Sequence, residues 1–194
     1  PLAADFARQR GVNVVQGMLP EPIGLPPGEF DAVLMLDVLE HLDDDVTCAR
    51  AAASLLKPDG ILLITVPAYQ WLFGPHDVAH HHRRRYTRKT LKHALEDANL
   101  QVDYLSYYNA ILFPLALVQR SAQRMKRDQT VSTAPPPAPI NALFRSIFAS
   151  ERHILGKLPR PFGLSLLAGN PDEAEAMLRE WQAVFPDRYY LELQ

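Results

Sequence analysis

Two apolar runs most constrain this chain: Phe30 to Val38 (FDAVLMLDV) and Ile61 to Val66 (ILLITV). Each is nearly continuous, without the alternation of a half-solvated strand, so each is expected to be a strand buried on both faces of a parallel sheet. Between them, Asp43, Asp44 and Asp45 supply an N-terminal helix signal, and Ala49, Ala52, Ala53 and Leu56 share one face. Lys57-Pro58-Asp59-Gly60 reads as a turn and Pro67 stops the second run. Strand, helix, turn and strand make a βαβ unit with a right-handed crossover.

The flanking sequence extends the pattern. Residues 3–11 read as the end of a helix closed by Gly11, Val12 to Gly17 as a short strand, and the proline-rich stretch from Leu19 to Gly28 as loop. Thr87 caps a helix through Asn99 that turns Leu91, Ala94, Leu95 and Ala98 to the core. Val102 to Tyr108 follows as a strand, Ile111 to Arg127 as an amphipathic helix, and residues 130–140 as a stiff proline-rich connector. A helix from Asn141 to Leu155 and an apolar strand from Leu164 to Ala168 complete the unit. The fold class is α/β with a mostly parallel sheet.

Of 194 residues, 47% are hydrophobic and 22% charged, which suits one soluble domain. The net charge of -2 gives no reason to expect nucleic acid as partner. The single cysteine, Cys48, excludes an internal disulfide and fits a reducing, cytoplasmic setting. The apolar stretch from Tyr104 to Val118 is interrupted by Asn109 and Pro114 and is too short to span a bilayer. With its trailing Arg120, Arg124, Lys126 and Arg127, the helix there admits a peripheral contact at the inner face of a membrane and a lipid-linked substrate, besides the plainer reading of a helix covering the sheet.

The ordered set Gly17 to Pro20, FDAVLMLDVLEHL, LLKPDGILLITVPAY and HDVAHHHRRRYT resembles the second half of class I S-adenosylmethionine-dependent methyltransferases, over about residues 1–168. The resemblance implies a Rossmann-like sheet with an antiparallel last strand, S-adenosylmethionine as cofactor, and methyl transfer to a small-molecule or envelope-type acceptor. It places Asp37, Val38, Glu40 and His41 at the methionine end of the cofactor, and Gly17, Met18 and Leu19 at the adenine. Ligands of open α/β sheets do sit beyond the carboxyl ends of strands. The family's glycine loop and first two strands are not in this sequence, so the expectation is of a truncated domain that begins upstream. Taken alone, such a chain would be a poor cofactor binder, or a binding module without catalysis.

From Tyr69 to Thr87 the sequence is where a lid belongs. By the same resemblance His76, Asp77, His82, Arg84 and Tyr86 are the substrate-side residues, with His82 as general base, since imidazole suits proton transfer near neutral pH. His76 and His80 also have the i, i+4 spacing of helical metal ligands. No Cys or second acidic ligand joins them at a metal-site spacing, and no resident metal is expected. The Arg83 to Arg85 run reads equally as an anion-binding patch or a solvated face.

After Ala168, Gly169-Asn170-Pro171 breaks the pattern, and Asp172 to Phe185 reads as a helix. Residues 171–194 resemble a piece of the bacterial replicative DNA polymerase alpha subunit, which makes 169–194 a candidate foreign segment joined near residue 168. A nucleic-acid enzyme fragment is the reading that rests on this tail alone.

Overall fold

The computed structural model describes residues 2–11, 13–126, 137–151 and 159–169. The segment 170–194 and most of the connector lie outside them. So do the last residues expected of the helix that begins at Asn141.

The chain opens with α1 (Leu2–Gln9), closed by Gly11 at a φ of +78°, a backbone conformation that glycine adopts at no steric cost. Residues 13–17 form no strand, contrary to the sequence reading. β-branched residues favour a strand only where a neighbour accepts their backbone bonds, and Val15 is instead half exposed. The first strand is β1 (Phe30–Leu36). A 3₁₀ turn at Leu39–His41 leads to α2 (Asp45–Ala53), where Asp44 accepts the Thr47 N–H at 2.9 Å.

The helix stops before Leu56, which is already in β2 (Leu56–Pro67). Lys57 to Gly60 is thus an irregularity inside a long strand and not a turn between elements. β1 and β2 pair in parallel, and their register jumps from Phe30↔Leu56 to Ala32↔Ile61. That accommodates the extra residues as a bulge accommodates one.

Beyond β2 come a 3₁₀ turn at Gln70–Leu72, the single-turn α3 (Pro75–Ala79) and α4 (Arg88–Asp97). β3 (Leu105–Tyr108) is shorter than expected, starting at Leu105 instead of Val102. α5 (Phe113–Lys126) and α6 (Ala138–Ser150) follow; α6 begins within the expected connector, with Pro139 in its first turn, where a missing N–H costs nothing. The last described strand is β4 (Ser165–Ala168).

The sheet order is β1-β2-β4-β3, with β4 antiparallel to both neighbours. This is the α/β class with an antiparallel last strand. Alternation along the strands divides the core between the two faces. Met35, Ile64, Val66, Tyr107, Leu166 and Ala168 pack with Ala49 and Ala52 of α2 and Leu91 and Leu95 of α4. Leu63, Tyr108 and Leu167 face the other way, against Phe148 of α6. β1 is the exception to the expected two-sided burial: Leu34 is 49% exposed. Among the described residues β1 leaves its outer edge unpaired and β3 gains there only the isolated Tyr107–Arg160 bridge, and none of their helices is long and apolar enough to cross a membrane.

Candidate active site

The carboxyl ends of β1 and β2 open onto a cavity of about 250 Å³, lined by Asp37, Glu40, His41, His76, His80, His82, Arg85 and Arg120 among others. Asp37 ends β1 at a φ of +51°, its N–H held by the Thr65 backbone at 3.0 Å. That left-handed residue turns the chain into the 3₁₀ turn and puts Glu40 and His41 against the lid.

The lid, residues 69–87, is organised around Asp77, which is fully buried. One Asp77 oxygen accepts from His82 Nδ1 at 2.9 Å and from Arg85 Nε at 2.7 Å; the other accepts the Gly74 N–H at 2.9 Å. Arg120 from α5 approaches that oxygen to 3.6 Å and donates to the Leu72 carbonyl. Burial works to raise the Asp77 carboxyl, but the His82 hydrogen bond and the Arg85 guanidinium outweigh it and hold the group well below the carboxylate range. His81, at a φ of +60°, folds the chain back so that His82 meets Asp77.

With Nδ1 bound to an ionised carboxylate, His82 carries its proton there and turns Nε2 toward Glu40 Oε1, 4.0 Å away. Glu40 is fully buried, and neither carboxylate oxygen has a hydrogen-bond partner. Burial, reinforced by the nearby Asp37 charge, pushes its carboxyl up to about 8. Ligating atoms of Glu40, His41 and His82 all lie within 4.8 Å of one another. His76 is pushed down to about 4 by burial and by His80, whose ring centre is 4.2 Å away.

Of the expected substrate-side residues, the fold brings His76, Asp77 and His82 together. Arg84 and Tyr86 are engaged elsewhere. Arg84 donates to the Leu42 and Asp43 carbonyls and pairs with Asp45 at 3.1 Å, while Tyr86, buried, donates to Asp45 at 2.7 Å. Both clamp the β1–α2 loop onto the lid; burial first, and then the Asp45 carboxylate, hold the Tyr86 hydroxyl un-ionised against the opposing Arg84 charge. Of the expected cofactor residues, Asp37, Glu40 and His41 line the cavity. Val38 is partly exposed beside them. Gly17 packs against Ile23, Met18 is 72% exposed and Leu19 rests on the core; none of the three lines the cavity.

Arg85 and Arg120 were not anticipated. In the run Arg83-Arg84-Arg85 nothing in the sequence distinguishes the inward residue. Only the return from α3 turns Arg85 inside, where its guanidinium also reaches the Ala68 carbonyl. Arg120 stood out only as one of the basic residues trailing the apolar helix.

The methionine end of S-adenosylmethionine, the implied cofactor, carries a sulfonium and an ammonium. The carboxylate of Asp37 at the strand terminus fits that charge.

Comparison with known proteins adds five findings. A short match to DNA polymerase III subunit alpha from Pseudomonas fluorescens is 66% identical over 32 residues, 16% of this chain and 3% of that protein. The ubiquinone biosynthesis O-methyltransferase of Xanthomonas campestris pv. campestris (strain B100) is 51% identical over 39 residues, 20% of this chain and 16% of that protein. These stretches thus span far less than two thirds of either relative. Similar solved structures include a putative methyltransferase from Bacillus halodurans (14% identity, 87% of this chain and 76% of that one, TM-score 0.47). Another is a SAM-dependent methyltransferase, possible histamine N-methyltransferase, from Thermotoga maritima (22% identity, 55% of each chain, TM-score 0.45). The family described as methyltransferase domain matches residues 3–105, more than half of the sequence, and the chain belongs to that family.

Proposed function

We propose that the protein transfers a methyl group from S-adenosylmethionine to an oxygen or nitrogen of a small-molecule acceptor held in the cavity between β1 and the lid. The observation that carries this reading is the Asp77–His82 pair, with Nδ1 bonded at 2.9 Å and Nε2 turned into the cavity. An acceptor hydroxyl sheds a proton as its bond to carbon forms, and a protonated amine must lose one before its lone pair can attack; an imidazole whose Nδ1 is held by Asp77 leaves Nε2 to take it.

When bound, the cofactor supplies an electrophilic methyl group on sulfur. Asp37 holds the cationic methionine end at the terminus of β1. His82 accepts the acceptor's proton at Nε2, and Asp77 stabilises the resulting imidazolium through Nδ1–H, as the carboxylate of a hydrolase triad does. Arg85 keeps Asp77 ionised. The lid keeps water from the reacting centre, and alignment of the two partners supplies most of the remaining acceleration. An envelope-type acceptor is compatible with the half-exposed Trp71, Leu115 and Val118 on the lid and α5.

His82→Ala should depress turnover about 10²- to 10⁴-fold and leave the affinity for S-adenosylhomocysteine, measured by calorimetry, nearly unchanged. Unchanged turnover would remove His82 from the reaction. Saturable binding of S-adenosylhomocysteine by the folded chain would overturn the expectation that it is a poor cofactor binder when taken alone.

A further inference from the structure

We propose that Glu40, His41 and His82 bind one divalent transition-metal ion, through two imidazole nitrogens and one carboxylate, with its open coordination positions facing the cavity. Sequence spacing pointed to His76 and His80 and away from a metal. The fold assembles a different set, from the turn after β1 and the end of the lid.

Three observations support the site. The ligating atoms of these residues already lie within 4.8 Å of one another. Two atoms each about 2.1 Å from a zinc ion lie about 3.4 Å apart in a tetrahedron, so side-chain shifts of about 1 Å close the set. Second, Glu40 is sealed from water with both oxygens unpartnered, and a cation is what such a carboxylate lacks. Third, the outer contact of His82 is that of a metal-bound histidine, which donates its second nitrogen to a carboxylate or a carbonyl. His82 gives Nδ1 to Asp77, leaving Nε2 free for the metal. The His41 and His82 rings meet edge to face at 4.7 Å.

Two histidines and one carboxylate suit zinc, and equally other divalent ions of similar softness. The site goes beyond the methyl-transfer reading and does not rest on it. If both hold, His82 Nε2 would be a ligand and not the base in the loaded protein, the cation would acidify an acceptor oxygen, and the released proton would leave to water.

The test is titration of the chelator-treated full chain with Co²⁺, without cofactor, followed by visible absorption. One equivalent per chain is expected, with the ligand-field bands of a four- or five-coordinate ion. Glu40→Gln and His82→Asn should each weaken binding at least about ten-fold, and exposed His93→Asn should not. Circular dichroism and cooperative thermal unfolding show that the variants are folded. No Co²⁺ binding by the parent chain would overturn the proposal. So would binding that survives Glu40→Gln but is lost in His76→Asn, which would assign the ion to the His76–His80 pair. Because the readout is the ion itself, failure of the methyl-transfer reading leaves it intact.

Discussion

An ionised carboxylate without water or a donor is costly to keep, and Glu40 lowers that cost by holding its proton up to about 8, burial being the main cause. In the unfolded chain the same group ionises near 4.5. Between those values the folded state binds more protons than the unfolded one, so this group lowers stability as pH rises through the window. Glu40→Gln, which cannot ionise, should therefore raise the melting temperature at pH 8 much more than at pH 5. Equal shifts at both would mean that Glu40 is ionised and partnered. His76 runs the other way: its folded value of about 4 lies below its ordinary 6.5, so it withdraws stability as pH falls through that interval. His76→Gln should flatten the acid limb of a melting-temperature profile.

Among the elements, α4 shows how a local signal becomes a fixed position. Thr87 accepts the Thr90 N–H at 3.2 Å, and Thr90 Oγ1 accepts the Thr87 N–H at 2.9 Å, a reciprocal cap that sets where the helix begins. Leu91 and Leu95 then fall on the sheet, and Arg50 of α2 donates to the Asp97 carbonyl at its end. Thr87→Ala should cost about 1 kcal/mol in urea denaturation. Leu91→Ala, at a position with no exposed surface, should cost about 2–5 kcal/mol. A smaller loss at Leu91 than at Thr87 would mean that the helix is held by its cap and not by its core face. Before β4, a Cβ on Gly163 would come within 3 Å of the Tyr108 backbone, so the chain can pass there only without a side chain.

Across the molecule, helices cover both faces of the sheet, yet β1 leaves its outer edge unpaired among the described residues and Leu34 half exposed. An apolar strand edge of this kind is a template for pairing with another chain. Leu34→Lys should reduce concentration-dependent light scattering while leaving the circular dichroism spectrum unchanged. Scattering that persists would place the self-association elsewhere. The same end of β1 carries Asp37, so the strand with the least lateral support also presents the carboxylate assigned to the cofactor.

What could be read from the residues themselves were the features whose physics is local. The apolar runs 30–38 and 61–66, the Asp43 to Asp45 helix signal, the Thr87 cap and the helical face of α4 each report their element through period or a neighbouring hydrogen bond, and each falls in a strand or at a helix of the fold. The ordered motifs likewise identified the methyltransferase family. The misses lie where a partner decides. Residues 13–17 have strand composition but no ladder to join, and Lys57 to Gly60 have turn composition but are drawn into β2 by pairing with β1. The site divides along the same line. His76, Asp77 and His82 are named through the family resemblance, and the fold brings these three together. That Arg85 and not Arg84 turns inward, that Tyr86 is a clamp, and that Glu40 meets His82 follow from the approach of the β1 turn and the lid. Charge and hydrogen bonding over a few ångströms act between residues some forty positions apart, a distance that only the folded chain closes.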